Sequence, residues 1–181
     1  IETDDYWIVD DNKFIFKPGF NSKIDDLYYE LISKCDTLIF SNYSDYKMCE
    51  ETNNEYCAKY NGMHIVSKFN QPIELVEGIK KLIFGCSFNQ PIQLVEEIGK
   101  LTFGECFNQL IELKKGIKDL TFGWNFNQPI ELAEGIKDLT FGHHFNQQIQ
   151  LVEGIGRLIF GSYFNQSIEL KEGISILTFG Y

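Results

Sequence analysis

Two adjacent histidines with aromatic neighbours at a fixed interval are the residues of this sequence best suited to chemistry. Trp124 lies nineteen residues before His143, and Tyr163 lies nineteen residues after His144. Two imidazoles can serve as acid and base, but no repeated motif places a carboxylate to orient them, and no Ser or Cys nucleophile is partnered with them. We therefore predict that the chain is not an enzyme and has no catalytic residue.

The cysteines do not change that prediction. Cys106 falls in the same repeat column as His144 but two repeats away, which corresponds to a distance of ~10 Å across two coils. Such a gap is too long for a metal bond of ~2 Å. The five cysteines are an odd number without CxxC spacing, a pattern that favours reduced thiols over a disulfide framework. We expect no metal site, no cofactor-binding site and no cofactor.

The interval of nineteen residues is a property of most of the chain. Phe-Asn-Gln occurs six times at this spacing, and Leu-x-Phe-Gly ends each of the six units, from residues 82–85 to residues 177–180. Leu-x-Phe alternates with period two, so it predicts a short strand with Leu and Phe inward. The Gly that follows is required either by its backbone conformation or by a close approach of the next coil, and the sequence does not distinguish these. A unit this short cannot bury its own apolar face, so the copies must stack as a solenoid.

An asparagine follows the first Phe of every unit. If the coils stack, these residues form a column whose amides can bond backbone groups left unpaired by the bend. We predict a structural ladder with the side chains inside the bend, formed by Asn70, Asn89, Asn108, Asn127, Asn146 and Asn165.

The pattern continues upstream in weaker form. Residues 14–16, 38–40 and 63–65 occupy strand positions at longer intervals, which makes nine strand segments. Apolar residues of 24–32 recur with helical spacing after a Ser22-x-x-Asp25 capping box, so the first return segment should be helical. A second helix is suggested more weakly at residues 44–58, by Met48, Cys49, Thr52 and Tyr56. The alternative, a parallel β-helix, has extended returns throughout.

These observations predict an α/β fold in one continuous solenoid. Nine short parallel strands lie on one face, a helix lies in the first return, and the returns of the six regular coils are mostly extended or turn-like. Residues 1–62 are expected to form an N-terminal cap with two degenerate longer repeats, and residues 63–181 the regular repeats. The predicted handedness is right-handed.

The charge balance limits the class of partner. A net charge of −10, from 16 basic and 26 acidic residues, argues against nucleic acid, because each phosphate contact needs a Lys or Arg. No apolar run approaches the ~20 residues of a membrane span. We expect a protein partner, no nucleic acid and no membrane contact.

The unit Phe-Asn-Gln-Pro-Ile with Leu-x-Phe-Gly resembles the FNIP repeat, a short variant of the leucine-rich repeat found in social amoebae and in giant viruses that infect them. The resemblance covers residues 63–181 well and 14–62 loosely. It implies a leucine-rich-repeat-like solenoid that acts as a non-enzymatic interaction scaffold, in the cytoplasm, or in the host cytoplasm if the chain is viral. FNIP repeats often follow an F-box, so the alternative is the substrate-recognition subunit of an F-box ubiquitin ligase. Residues 1–13 are too short and acidic for an F-box.

Any specific function should lie in residues that do not repeat. The strand-adjacent columns form a strip of Thr and Ile flanked by charges, where leucine-rich repeats commonly bind protein. The candidate surface consists of Lys81, Lys100, Asp119, Trp124, Asp138, His143, His144, Arg157 and Tyr163. The C-terminal strand has no residues left to cover its edge, which predicts a homodimer through the C-terminal coil or a cap outside this chain.

Overall fold

The structure, a computed structural model, describes residues 1–43 and 66–180. The described residues form one sheet in which the strands follow chain order. The elements are β1 (Tyr6–Val9), β2 (Lys13–Phe16), α1 (Asp26–Ile32), β3 (Thr37–Phe40), β4 (Lys81–Ile83), β5 (Lys100–Thr102), β6 (Asp119–Thr121), β7 (Asp138–Thr140), β8 (Arg157–Phe160) and β9 (Ile176–Phe179).

The six regular coils stack in a single register. From β4 to β9 each Leu of the Leu-x-Phe motif lies opposite the Leu of the next strand, and each pair is parallel. The returns contain no helix and end in a tight turn, with a glycine of positive φ in five of the six coils, 83° at Gly154 and 102° at Gly116. The predicted solenoid is therefore confirmed.

The first strand differs from the prediction of nine parallel strands. β1 is antiparallel to β2, and the two are joined through Asp10 and Asp11, whose φ angles are 51° and 55°. Aspartate tolerates this left-handed conformation because its short side chain can bond the local backbone. Ile1 then covers the far edge of β1, since its carbonyl accepts the N–H of Ile8 at 2.8 Å. The N-terminal end of the sheet is closed by this hairpin.

The predicted helix in the first return is present, but it begins later than the capping box suggested. α1 starts at Asp26, and the carboxylate of Asp25 caps it by accepting the Tyr28 N–H at 3.2 Å. Ser22 is therefore not the cap. Ile32 is buried, whereas Leu27 is 64% exposed although its spacing placed it on the apolar face.

The junction between the long and the regular coils also departs from expectation. β3 is hydrogen-bonded directly to β4, with Leu38 opposite Leu82. The strand predicted at residues 63–65, the helix suggested within 44–58 and the domain boundary at residue 62 lie outside the described residues. At this junction the buried Asn42 side chain accepts the Ser67 N–H at 3.0 Å and the Cys86 N–H at 2.8 Å.

Phenylalanine rings fill the interior in two columns. Within a coil the two rings stack face to face at 3.8 Å, as Phe103 does with Phe107. Between coils the ring separation is 5.6 Å in one column and about 6.1 Å in the other. Both values exceed the ~4.8 Å between paired strands, so the coils fan apart away from the sheet and the sheet lies on the concave side.

The concave face is covered at its N-terminal end. Trp7, Ile15, Ile39 and Ile83 form a second buried apolar cluster on the side of the sheet opposite the phenylalanine core. The Thr and Ile strip predicted to be exposed is thus partly wrong: Ile83 and Thr102 are 2% and 7% exposed. Towards the other end the strip is more open, because Thr121, Thr140 and Ile159 are half-buried and Thr178 is exposed.

The glycine that ends each Leu-x-Phe-Gly motif is required by close stacking. A Cβ at Gly104, Gly123, Gly142 or Gly161 would lie well inside 3.0 Å of the carbonyl of the preceding coil's glycine. Their φ angles are not positive. The close approach of the neighbouring coil, and not a backbone conformation open only to glycine, therefore requires glycine at this position.

Substitution at this position should be costly. We expect Gly123→Ala to lower the free energy of unfolding by at least ~2 kcal/mol, because the methyl group would push two backbones apart. Gly156→Ala is the matched control, since its Cβ would lie 3.8 Å from the Lys137 carbonyl. Urea unfolding of both variants checks this; equal losses would show that backbone approach is not the constraint.

The asparagines form a continuous ladder along the bend. The side-chain oxygen of each accepts the backbone N–H of the Asn in the next coil, at 2.8 to 2.9 Å from Asn70 to Asn165. The neighbouring Gln side chain also donates to the same oxygen, as Gln128 does to Asn108 at 3.2 Å. The ladder starts one coil earlier, at Asn21, which accepts the Asn70 N–H. The members from Asn70 to Asn146 are half-buried, whereas Asn21 and Asn165 are exposed, so the ladder is less enclosed than the sequence suggested.

Removing one ladder amide should destabilise the coil after it. We expect Asn108→Ala to cost about 1–3 kcal/mol of unfolding free energy, because the Asn127 N–H loses its acceptor. Asn165→Ala is the control, since no described residue donates to its side-chain oxygen. Thermal unfolding compares the two; a loss at Asn165 as large as at Asn108 would contradict the ladder.

Candidate functional site

The structure brings the non-repeating aromatic residues together just beyond the ends of β6, β7 and β8. Trp124 stacks on His143 with ring centroids 4.2 Å apart, and His144 stacks on Tyr163 at 5.2 Å. The His143 ring also lies 4.4 Å from Tyr163. With Ser162, these residues are called the aromatic–histidine cluster.

The backbone of the coils holds this cluster in place. The N–H groups of Asn125, His144 and Tyr163 donate to carbonyls of the preceding coil at 2.9, 3.0 and 3.1 Å. These hydrogen bonds continue the pairing of the sheet beyond the strands. The side chains of Asn125, His144 and Tyr163 are therefore separated by the distance between neighbouring coils. Trp124 is 40% and Tyr163 59% exposed, while the histidines are half-buried.

One polar contact in the cluster was missed by sequence reasoning. The Ser162 hydroxyl lies 2.5 Å from His143 Nδ1. The expectation that no serine is partnered with a histidine was therefore wrong. Because Trp124, His143 and Ser162 share one repeat column, the sequence placed Ser162 and His143 on adjacent coils. The column did not show that the two side chains are within hydrogen-bonding distance.

The Ser–His pair lacks the other parts of a nucleophilic site. Among the described residues, no carboxylate is hydrogen-bonded to His143 or His144 to orient the imidazole. The clearest surface grooves lie elsewhere: one is lined by Gln148, Ile149, Ser167 and Ile168, the other by residues of α1 and Pro72. Neither of these two grooves is lined by the Ser–His pair.

The pKa values of two neighbouring groups are raised. Burial raises the pKa of the Glu105 carboxyl. Burial and, secondarily, the Glu105 charge raise the pKa of the Cys106 thiol. A protonated thiol is a weak nucleophile, so Cys106 adds no reactive group.

The charged members of the candidate surface lie in one row across the sheet. The Cα partners run from Lys81 to Lys100, Asp119, Asp138 and Arg157. In residues 1–43 and 66–180, Asp119, Asp138 and Arg157 form no ion pair, and Asp138 and Arg157 are exposed. Asp119 and Asp138 thus place two like charges on neighbouring strands.

The row and the cluster are not in contact. They occupy opposite ends of the same strands, and the five residues from Asp119 to Trp124 span no more than ~17 Å of extended chain. The candidate surface is therefore two patches on shared coils.

Metal and membrane sites are not found in the part of the chain that the structure describes. No three His, Cys, Asp or Glu side chains there are grouped so that they could hold a metal ion. The one helix described, α1, has seven residues and is far too short to cross a bilayer.

The cysteine prediction is only partly right. Cys35 and Cys106 are free thiols, but Cys86 is disulfide-bonded. No CxxC spacing marks Cys86 as part of a disulfide, so the cysteine pattern did not indicate it.

Comparison with known proteins agrees with the coil geometry. Residues 69–106, two coils, match the family model described as FNIP Repeat. Residues 69–106 are FNIP repeats. No curated protein sequence matches the chain.

A solved structure shares the fold of these FNIP repeats. It is described as the crystal structure of CroV588, a novel circular LRR protein structure, from a giant virus. The similarity has a TM-score of 0.61 and 31% sequence identity, and it covers 92% of this chain. This chain spans only about a quarter of the other, 26% of its length.

The cysteine states can be measured directly. We expect iodoacetamide to label Cys35 and Cys106 in the denatured, unreduced protein, and Cys86 only after reductant is added, because a disulfide has no thiolate to alkylate. Peptide mass spectrometry identifies the labelled sites. Labelling of Cys86 before reduction would contradict the disulfide.

Proposed function

We propose that this chain is a non-enzymatic protein-binding scaffold whose recognition surface is the open, C-terminal part of the concave sheet face with the aromatic–histidine cluster. The observation that carries the proposal is the exposure of Trp124 and Tyr163, 40% and 59%, whereas most of the aromatic side chains that the structure describes pack in the core or against it.

The cluster has the composition of a binding hot spot. Trp and Tyr are enriched among residues that dominate interface energies, because they bury a large area at low entropic cost. Stacking between Trp124 and His143, and between His144 and Tyr163, holds these rings in place before binding. Preorganised rings lose little freedom when a partner docks.

The charged row suggests what the partner presents. Asp119 and Asp138 lie side by side, and neither forms an ion pair with a described residue, although Lys100 and Arg157 lie opposite them on the outer neighbouring strands. A basic side chain placed over them would relieve their repulsion, and complementary charge mainly increases the association rate and selectivity. The expected partner is a protein with a basic segment next to an apolar one.

The more specific alternatives have less support. No observation on the described residues favours an F-box ligase subunit, since α1 packs on the solenoid through Ile32. Similarity to a giant-virus protein supports a viral source and, with it, the host cytoplasm. The Cys86 disulfide weighs against that compartment, because disulfides persist mainly in oxidising ones.

Photo-crosslinking and affinity measurement test the surface. A photoreactive phenylalanine at position 163 should capture the partner, whose affinity is then measured by calorimetry. We expect Trp124→Ala with Tyr163→Ala to weaken binding by at least ~30-fold, the effect of a hot spot worth ~2 kcal/mol.

Matched charge reversals distinguish the two sides of the same coils. Asp119→Lys with Asp138→Lys should slow association with the partner. The control is Glu131→Lys with Glu134→Lys, which makes the same change in charge on the exposed return side. Equal effects of the two pairs would show that net charge, and not the strand face, governs binding. Unchanged affinity in the Trp124 and Tyr163 variant would exclude the cluster.

A further inference from the structure

The imidazole of His143 lies between two aromatic rings. Its centroid is 4.2 Å from that of Trp124 on the preceding coil and 4.4 Å from that of Tyr163 on the following coil. The Ser162 hydroxyl is 2.5 Å from its Nδ1. This imidazole is therefore held in place by side chains of both adjoining coils, at the centre of the aromatic–histidine cluster.

His144 places a second imidazole beside the first. The centroids of the two histidine rings are 5.2 Å apart, and His144 also stacks on Tyr163. Both histidines are half-buried, so each ring still meets water. Histidine is the side chain whose charge ordinarily changes between pH 5 and 8. The cluster thus contains two adjacent groups that mild acid can charge.

The surroundings offer these imidazoles no counter-charge. The side chains packed against them belong to Trp124, Ser162 and Tyr163, and neither histidine forms an ion pair with a described residue. The next titratable groups in the same columns are Glu105 and Cys106, and burial raises the pKa of each, which disfavours their charged forms. The charged row lies at the opposite ends of the strands. An imidazolium in the cluster is therefore stabilised by water and by the neighbouring rings.

The unbound cluster can hold His143 with or without its charge. A charged imidazole can donate its Nδ1–H to the Ser162 oxygen, and the faces of indole and phenol rings attract a cation. Protonation therefore requires no rearrangement of the coils. A second proton on His144 is opposed by the first charge, because the two rings are adjacent.

A docked partner changes this balance. Covering Trp124 and Tyr163 removes water from the imidazoles beside them, and burying a charged group without a counter-ion costs far more than burying its neutral form. A carboxylate on the partner would be disfavoured by the net charge of −10, whereas a basic partner would itself be repelled by an imidazolium. Both effects make binding release protons, so affinity falls as the pH falls.

We propose that the aromatic–histidine cluster binds its partner with His143 and His144 uncharged, so that mild acid switches the recognition surface off. The inference rests on the proposed function, because it concerns the same surface. A site that binds only the neutral form of one imidazole loses about tenfold in affinity for each pH unit over which that imidazole is charged in the free protein. We expect a loss of at least ~10-fold from about pH 7.5 to about pH 5.5.

Affinity measured against pH tests the switch. The protein captured through position 163 is purified, and calorimetry at the two pH values compares its binding to the wild-type chain. In the chain with His143→Gln and His144→Gln the two affinities should be nearly equal, because an amide gains no proton in this range. His64→Gln is the matched control, since it removes the third histidine of the chain and should keep the loss.

Circular dichroism at both pH values checks that the coils remain folded. Both values lie above the sequence pI of about 4.7, so the chain keeps its net negative charge in the experiment. A general loss of solubility or of charge therefore does not produce the expected change in affinity.

The outcomes separate the switch from the recognition surface. If Trp124→Ala with Tyr163→Ala weakens binding while the wild-type affinity does not change with pH, the surface stands and the switch is overturned. A wild-type affinity that rises in acid would show that the partner supplies a carboxylate, and also overturns it. So does a pH dependence that survives in the double glutamine variant or disappears in the His64 variant. Capture of no protein at position 163 would overturn both proposals.

Discussion

The close approach of one coil's backbone to the next is the constraint on which the rest of this structure depends. The glycine after each strand lies against the glycine carbonyl of the preceding coil, leaving no room for a side chain. Because the backbones meet there, the following residues keep bonding from coil to coil beyond the strands, as His144 N–H does to the Trp124 carbonyl. The phenylalanine columns and the asparagine ladder then repeat at the same interval. A side chain on the surface is thereby placed by its position in the repeat.

This constraint separates the residues into two groups. The repeating Leu, Phe, Ile, Asn and Gly close and stack the coils, while the residues that vary are those that stacking leaves free. Trp124, His143, His144 and Tyr163 occupy variable positions, yet they stack on one another because the coils bring their columns within 4.2 to 5.2 Å. A regular scaffold thus gives an irregular surface patch a defined geometry.

The elements that could be predicted are those with a period. Leu-x-Phe-Gly and Phe-Asn-Gln, repeated six times, indicated strands, stacking and an asparagine column, because a fixed interval can be satisfied by few folds. The hairpin strand at Tyr6–Val9 escaped prediction because it occurs once and depends on a turn at Asp10 and Asp11. The helix cap was placed at Ser22 when Asp25 was equally suitable by residue type. The Ser162–His143 bond depends on side-chain positions across coils, which the interval alone does not determine, and no spacing in the sequence indicated the Cys86 disulfide.

The most direct test of this division is an alanine scan of one coil, residues 119–137, with the free energy of unfolding as the readout. Leu120→Ala should cost about 2–5 kcal/mol, because Leu120 is 1% exposed and its loss leaves a cavity. Trp124→Ala should cost less than ~1 kcal/mol, since the Trp124 ring is partly exposed and only one side of it packs against the cluster. A loss at Trp124 as large as that at Leu120 would mean that the aromatic–histidine cluster holds the solenoid together, and would contradict its assignment as a surface free to bind.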